Sequence, residues 1–194
     1  MKLVLATANE DKVHEIRRIL APLASLELLS RPGHIPEVPE DGPDLVSNAA
    51  AKARAISAAT GLAALADDTG LFVASLGGLP GVRSSRFAGE GSSYEDNVAA
   101  LLEALGDSEE RAAEFRTVAF LHLPDGRERW VEGVARGAIA RQPAGKGGFG
   151  YDPIFVPAGL DRTFSQLSME EKNAISHRGR AFRAMAELFR AVEA

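Results

Sequence analysis

The chain of 194 residues is 45% hydrophobic and 25% charged, carries a formal net charge of −5 and contains no cysteine. One globular domain spanning 1–194 is expected, without disulfides or thiolate chemistry, and the acidic balance argues against a nucleic-acid partner, which asks for a basic face. No signal-peptide pattern opens the sequence and no apolar run approaches the ~20 residues that span a bilayer, so a cytoplasmic setting with no membrane partner is expected.

An apolar run, Leu3-Val4-Leu5-Ala6, predicts a buried strand. It breaks into Thr7-Ala8-Asn9-Glu10-Asp11-Lys12, and Val13, Ile16, Ile19 and Leu20 at helical spacing predict a helix capped by Asn9. A strand that turns directly into a helix aims backbone N–H groups and the positive end of the helix dipole at one spot. That is an anion site or an ordinary capped helix. Residues 31–43 read as a proline- and glycine-rich loop carrying Glu37, Glu40 and Asp41. Asp44 caps a second helix running to Thr60, with Gly61 as its stop and Asn48 and Lys52 one turn apart on one face.

A short strand over residues 62–66 comes next, then a glycine-punctuated loop over 76–91 containing Leu79-Pro80-Gly81. A third helix starts near Ser93 and buries Val98, Leu101, Leu102 and Leu105. Residues 115–123 alternate like a half-buried strand, and Pro124-Asp125-Gly126 turns into a strand around Trp130. A further strand over 133–140 precedes the glycine-rich residues 145–150. Ser168 with Glu171 forms a capping box, and the last helix carries an apolar stripe of Phe182, Met185, Phe189 and Val192. Early strand–helix alternation followed by a hairpin block predicts an α/β fold, a mixed sheet with flanking helices.

Three segments carry chemistry beyond the first turn. Asp67-Asp68-Thr69-Gly70 follows a small apolar strand, so its carboxylates are expected at the strand's carboxyl end, where open α/β sheets place ligands. Adjacent carboxylates suit magnesium, a hard cation that bridges them to phosphates, although a plain turn has the same composition. Asp68-Thr69-Gly70 also matches the aspartic-protease tripeptide, but that dyad needs a second copy, and the chain has none. The histidines, His14, His34, His122 and His177, show no metal-ligand spacing, which argues against zinc.

Gly145-Lys146-Gly147-Gly148-Phe149-Gly150 has G-x-G-x-x-G spacing, but the β-like Ile154-Phe155-Val156 follows instead of a helix, which removes the dinucleotide reading. What is left is a loop presenting Phe149, Tyr151 and Asp152 to a flat base, or a hairpin tip with Phe149 in the core. Lys172 and Ser176-His177-Arg178 gather cations near helix starts, against the helix dipole. Arg178 is therefore expected to face an anion or an aromatic plane.

Taken in order, these segments resemble the inosine triphosphate pyrophosphatase family over nearly the whole chain. The matching pieces are the stretch from Thr7 to Lys12, Glu40 ahead of Gly42, Asn48-Ala49 with Lys52, Ala66-Asp67-Asp68-Thr69-Gly70, Leu79-Pro80-Gly81, Gly147-Gly148-Phe149-Gly150-Tyr151-Asp152-Pro153, and Lys172 with Ser176-His177-Arg178. The resemblance implies a mixed twisted α/β fold with two lobes around a nucleotide-binding cleft, usually as a homodimer, and a requirement for magnesium. It implies hydrolysis of non-standard purine nucleoside triphosphates (ITP, dITP, XTP) to the monophosphate and pyrophosphate. Thr7, Ala8, Asn9, Glu10, Asp11, Lys12 and Lys52 correspond to triphosphate-binding positions, and Thr69 replaces a serine common in the family. Glu40 and Asp68 correspond to the magnesium carboxylates, and Asp68 to the proton acceptor. Phe149, Gly150, Tyr151, Asp152, Lys172, His177 and Arg178 correspond to positions that hold the base and its sugar. One departure is Ser47, where the family commonly has glutamate; Asp67 or Asp44 is expected to compensate if that glutamate holds metal.

The implied reaction brings water to the α-phosphorus, with Asp68 orienting or deprotonating it and cations stabilising the phosphate oxygens. Selectivity has a physical handle, because a 6-oxo purine and adenine present opposite donors and acceptors at N1 and position 6. Phe149 would stack on the base, and Asp152 or Arg178 would read its edge. Two other readings stand beside this one: a septum-inhibitor-type pyrophosphatase acting on pyrimidine or modified nucleotides, and a non-catalytic nucleotide-binding regulator.

Overall fold

The computed structural model describes residues 1–193, with side chains to residue 190, so the stripe position Val192 lies outside the described side chains. The chain order is β1 (Lys2–Leu5), α1 (Glu10–Leu20), β2 (Glu27–Leu29), α2 (Leu45–Thr60), β3 (Ala63–Val73), β4 (Pro80–Gly81), α3 (Tyr94–Leu105), β5 (Ala112–His122), β6 (Glu128–Ile139), β7 (Phe155–Pro157), α4 (Met169–Ile175) and α5 (His177–Glu193). The strands form one sheet in the order β2-β1-β3-β5-β6-β7, with β4 paired to β3. Parallel pairs, β1 with β2 and with β3, coexist with antiparallel ones, β3 with β4 and β6 with β7. The expected α/β fold with a mixed sheet is therefore present.

Local chemistry sets the helix starts. Asn9, Asp44, Ser93 and Ser168 each occupy an N-cap and accept a backbone N–H of the first turn. Gly61 closes α2 in the left-handed conformation at φ 69°. Three expectations need correction. Residues 67–69 do not end a strand; β3 runs on through them to Val73, because both aspartates find buried cationic or amide partners there. The two strands expected around Trp130 and over 133–140 are one continuous strand, β6. The loop over 76–91 is ordered by two 3₁₀ turns and by β4.

Contacts gather the chain into two units. Unit 1 comprises Met1–Asp68, Thr117–Gly133 and the chain from Arg178; its core packs Leu3, Leu5 and Leu65 against Ile16 and Leu20 of α1 and Phe182 and Met185 of α5. Unit 2 comprises Thr69–Arg116 and Val134–His177, with a core of Leu71, Leu101, Phe115, Phe155 and Phe164. No helix among the described residues is long and apolar enough to cross a membrane.

Candidate functional site

In unit 1 the parallel pairing of β1 to β3 delivers the chain into the turn over residues 7–12. Ala6 N–H donates to Leu65 O, Asn9 N–H to Thr7 Oγ1 at 3.2 Å, and Lys12 N–H to Asn9 Oδ1 at 3.1 Å. The first-turn N–H groups of Glu10 and Asp11 lie at the positive end of α1. Ala8, Glu10 and Asp11 are exposed; Thr7, Asn9 and Lys12 are half-buried.

Strand alternation sends the two adjacent aspartates to opposite faces of β3. Asp67, fully buried, meets Lys12 Nζ at 3.2 Å and Arg178 at 3.3 Å, and Arg178 also donates to Glu15 Oε2 at 2.6 Å. Burial pushes the Asp67 carboxyl up, but Lys12 and Arg178 outweigh it and hold it well below the carboxylate range. Asp68 instead faces α2: Asn48 Nδ2 donates to its Oδ2 at 3.1 Å, and Lys52 Nζ to its Oδ1 at 3.2 Å. Burial keeps the Asp68 carboxyl above its ordinary value in spite of Lys52. Lys52 also donates to Glu40 Oε1 at 2.6 Å, so one ammonium bridges both carboxylates, and its own proton is held more tightly because Asp68 and Glu40 outweigh its desolvation. Glu40, although raised by burial, is held low by Lys52.

Asp44 accepts Ser47 N–H at 2.7 Å in the capping box of α2, and Asp67 turns toward Lys12 and Arg178. Asp44 is thus engaged by the helix cap and Asp67 by Lys12 and Arg178, although the Asp67 charge also reaches Glu40.

In unit 2 the glycine loop is pinned by Gly147 N–H to Ser165 O at 3.0 Å and Phe149 N–H to Asp152 Oδ2 at 2.9 Å. Gly148, at φ +70°, packs so closely on Asp152 that a Cβ there would lie 2.1 Å from Oδ2. Asp152 is buried against the Lys172 ammonium, which sits 4.8 Å from the centre of the half-buried Phe149 ring. Phe149 also meets Tyr94 of α3, ring centres 5.9 Å apart. His177 stacks on Phe115 at 4.4 Å. Thr69 and Gly150 are half-buried. The expectation that the loop presents Tyr151 is overturned: its ring lies in the core and its hydroxyl donates to Ser84 O at 2.8 Å, because a phenol buried this deeply needs an acceptor. On the α3 side of the loop a cavity of about 440 Å³ is lined by Tyr94, Val98, Leu102 and Phe149.

The structure thus brings together Lys12, Glu40, Lys52, Asp68 and Arg178 with the residue 7–12 turn in unit 1, and Phe149, Asp152, Lys172 and His177 in unit 2. Arg178 does face an anion, but the anions are the chain's own Glu15 and Asp67. Sequence reasoning missed Glu15, a carboxylate three residues after Lys12 on the inward side of α1, and assigned no role to Asn48, whose i,i+4 spacing from Lys52 was the available signal.

These clusters define an α/β protein with a lysine-bridged carboxylate pair in one unit and an aromatic, lysine–aspartate cluster in the other. The chain belongs to the Ham1 family, which it matches over residues 3–188. It is 48% identical over 194 residues to a protein of Streptomyces coelicolor named dITP/XTP pyrophosphatase, covering 97% of each chain. A protein of the same name from Mycobacterium tuberculosis is 48% identical over 197 residues, covering 98% of this chain and 96% of the relative. Among solved structures, a HAM1 protein from Coxiella burnetii superposes with a TM-score of 0.90 at 40% identity over 100% of both chains. The Staphylococcus aureus Ham1 protein gives 0.88 at 36% identity, over 98% of this chain and 99% of the other. The resemblance drawn from short segments is borne out along the full chain.

Proposed function

We propose that the protein hydrolyses non-standard purine nucleoside triphosphates of the dITP, ITP and XTP type to the monophosphate and pyrophosphate. The observation that carries this reading is near-full-length similarity to relatives named dITP/XTP pyrophosphatase. That similarity favours it over a septum-inhibitor-type enzyme or a non-catalytic regulator.

The chemistry of the residues supports it. The N–H groups of the turn over Thr7, Ala8, Asn9, Glu10, Asp11 and Lys12 are suited to receive phosphate oxygens, with the Lys12 ammonium adding charge. Asp68, buried and of raised proton affinity, is suited to take a proton from water as the water oxygen bonds to the α-phosphorus and the bond to pyrophosphate breaks. Glu40 and Asp68 would hold magnesium. They are hard oxygen donors that share a single ammonium, and two carboxylates suffice for an ion that completes its shell with water and phosphates. Bound there, the ion would neutralise charge building on the phosphate oxygens. Lys52 keeps the two carboxylates together. In unit 2, Phe149 offers a face for the base, and Lys172, oriented by Asp152, offers N–H donors to a 6-oxo group where adenine would present its amino group. Thr69, Gly150, Tyr151, His177 and Arg178 complete the assignment, Tyr151 as a core support and Arg178 through the Lys12–Asp67 cluster. We further take the enzyme to be a cytoplasmic homodimer comprising a single pyrophosphatase domain, which size-exclusion chromatography with light scattering tests as to assembly.

The test incubates the protein with ITP, dITP, XTP, GTP, ATP and dUTP plus magnesium and identifies products. Monophosphate and pyrophosphate from the first three are expected. Release of orthophosphate would overturn the mechanism, and full activity in Asp68→Asn would overturn the assignment of the base.

A further inference from the structure

We propose that Asn48 is a positioning residue that fixes the orientation of the Asp68 carboxylate and ties it to the loop bearing Glu40. The inference rests on the reading of Asp68 as the group that acts on water.

Helix α2 presents two side chains one turn apart toward β3, and each takes one oxygen of Asp68: Asn48 takes Oδ2 and Lys52 takes Oδ1. Each also reaches the preceding loop. Lys52 donates to the Glu40 carboxylate, and Asn48 Oδ1 accepts the Gly42 N–H at 2.8 Å. Two parallel bridges result, Glu40–Lys52–Asp68 and Gly42–Asn48–Asp68, the first charged and the second neutral. Lys52 alone would leave the carboxylate free to rotate about its ammonium, since an ammonium is a point charge with rotatable donors. The planar amide, 1% exposed and fixed at both ends, removes that rotation. The loop is shaped to fit it: Gly42 approaches so closely that a Cβ would lie 2.6 Å from Asn48 Oδ1 and 2.4 Å from Ser47 Oγ.

The two ends of the amide can be separated by substitution. Asn48→Asp keeps an acceptor for the Gly42 N–H but replaces the donor to Asp68 by an oxygen; Asn48→Ala removes both. Ser47→Ala, one residue earlier, weakens the capping box of α2 and serves as a control for stability alone. Steady-state kinetics on ITP with magnesium, with thermal unfolding of each variant, are the measurement. A positioning role predicts that both Asn48 variants lose about 10- to 100-fold in kcat with KM within about twofold, while Ser47→Ala lowers the unfolding temperature and keeps kcat. If Asn48→Asp matches the wild type while Asn48→Ala does not, the amide serves only the loop and the proposal is wrong. It is equally wrong if both Asn48 variants keep wild-type kcat, or if Ser47→Ala loses kcat as they do. Failure of the underlying reading looks different: the wild type then releases no pyrophosphate, or Asp68→Asn stays active.

Discussion

Arg178→Met is the perturbation with the largest expected effect on stability. The guanidinium is 1% exposed and donates to Glu15 at 2.6 Å and Asp67 at 3.3 Å, both carboxylates themselves buried. Lys12 is a second cation on Asp67, at 3.2 Å. Removing Arg178 takes from Glu15 and Asp67 the buried guanidinium that both carboxylates share. Breaking a buried pair in this way costs about 3–5 kcal/mol, about a fifth or more of the ~5–15 kcal/mol by which a domain is held folded. Urea unfolding at pH 7 should show a lower midpoint with an unchanged slope. Glu15→Gln added to Arg178→Met removes the stranded charge and should recover about half of the loss.

The same variant has a pH signature. In the wild type, Lys12 and Arg178 hold Asp67 far below its ordinary 3.8, so its contribution to stability is in place above that value and is lost as pH falls toward the folded one. Arg178→Met raises the folded value. The gap between wild type and variant should therefore be widest above about pH 5 and narrow below about pH 4, where the stranded carboxyl protonates. A loss under about 1 kcal/mol at pH 7, the size of an exposed pair, or a gap that stays constant in acid, would refute the reasoning.

Lys52→Met leaves Glu40 and Asp68 without their shared cation, and pyrophosphate release from ITP should fall by about 100-fold or more in kcat/KM. Tyr94→Ala removes the ring that flanks Phe149; a lost aromatic contact of about 0.5–1.5 kcal/mol predicts a KM for ITP raised about 2- to 10-fold with little change in kcat, and Tyr94→Phe should restore it. Arg54→Ala breaks a bidentate pair with Glu128, but the arginine side chain is 56% exposed, so urea unfolding in physiological salt should register under about 1 kcal/mol.

What was legible in the sequence is local. Asn9, Asp44, Ser93 and Ser168 were readable as caps because capping joins a side chain to N–H groups within three residues. The helix stripes were readable for the same reason. The course of residues 67–69 was not, because two acids inside a strand make sense only once partners arrive from far away. Asp67 draws on Lys12 and Arg178, and Asp68 on Asn48 and Lys52. Tyr151 was misread likewise: its acceptor is the carbonyl of Ser84, 67 positions earlier, and without it the phenol belongs at the surface. The motif residues, Asn48 among them, were identifiable from resemblance, but the contact of Asn48 with Asp68 and the partners Glu15 and Ser84 required the fold.

The pair Asp67-Asp68 shows how a period of two divides labour between neighbours. Had both carboxylates lain on one face, each would have raised the other's proton affinity and competed for the same cations. Alternation along β3 sets Asp67 in direct contact with Lys12 and Arg178, its carboxyl held far below its ordinary value, and Asp68 in direct contact with a neutral amide and the ammonium that Glu40 shares. Asp67 is thereby a poor acceptor for a proton from water, since its negative charge is already matched by Lys12 and Arg178. Asp68 is short of positive charge and set toward the loop that bears Glu40, the condition in which a carboxylate both accepts a proton and attracts a cation. On the proposed reaction, the choice of Asp68 over its neighbour therefore follows from which side of the strand each occupies and which helix that side meets.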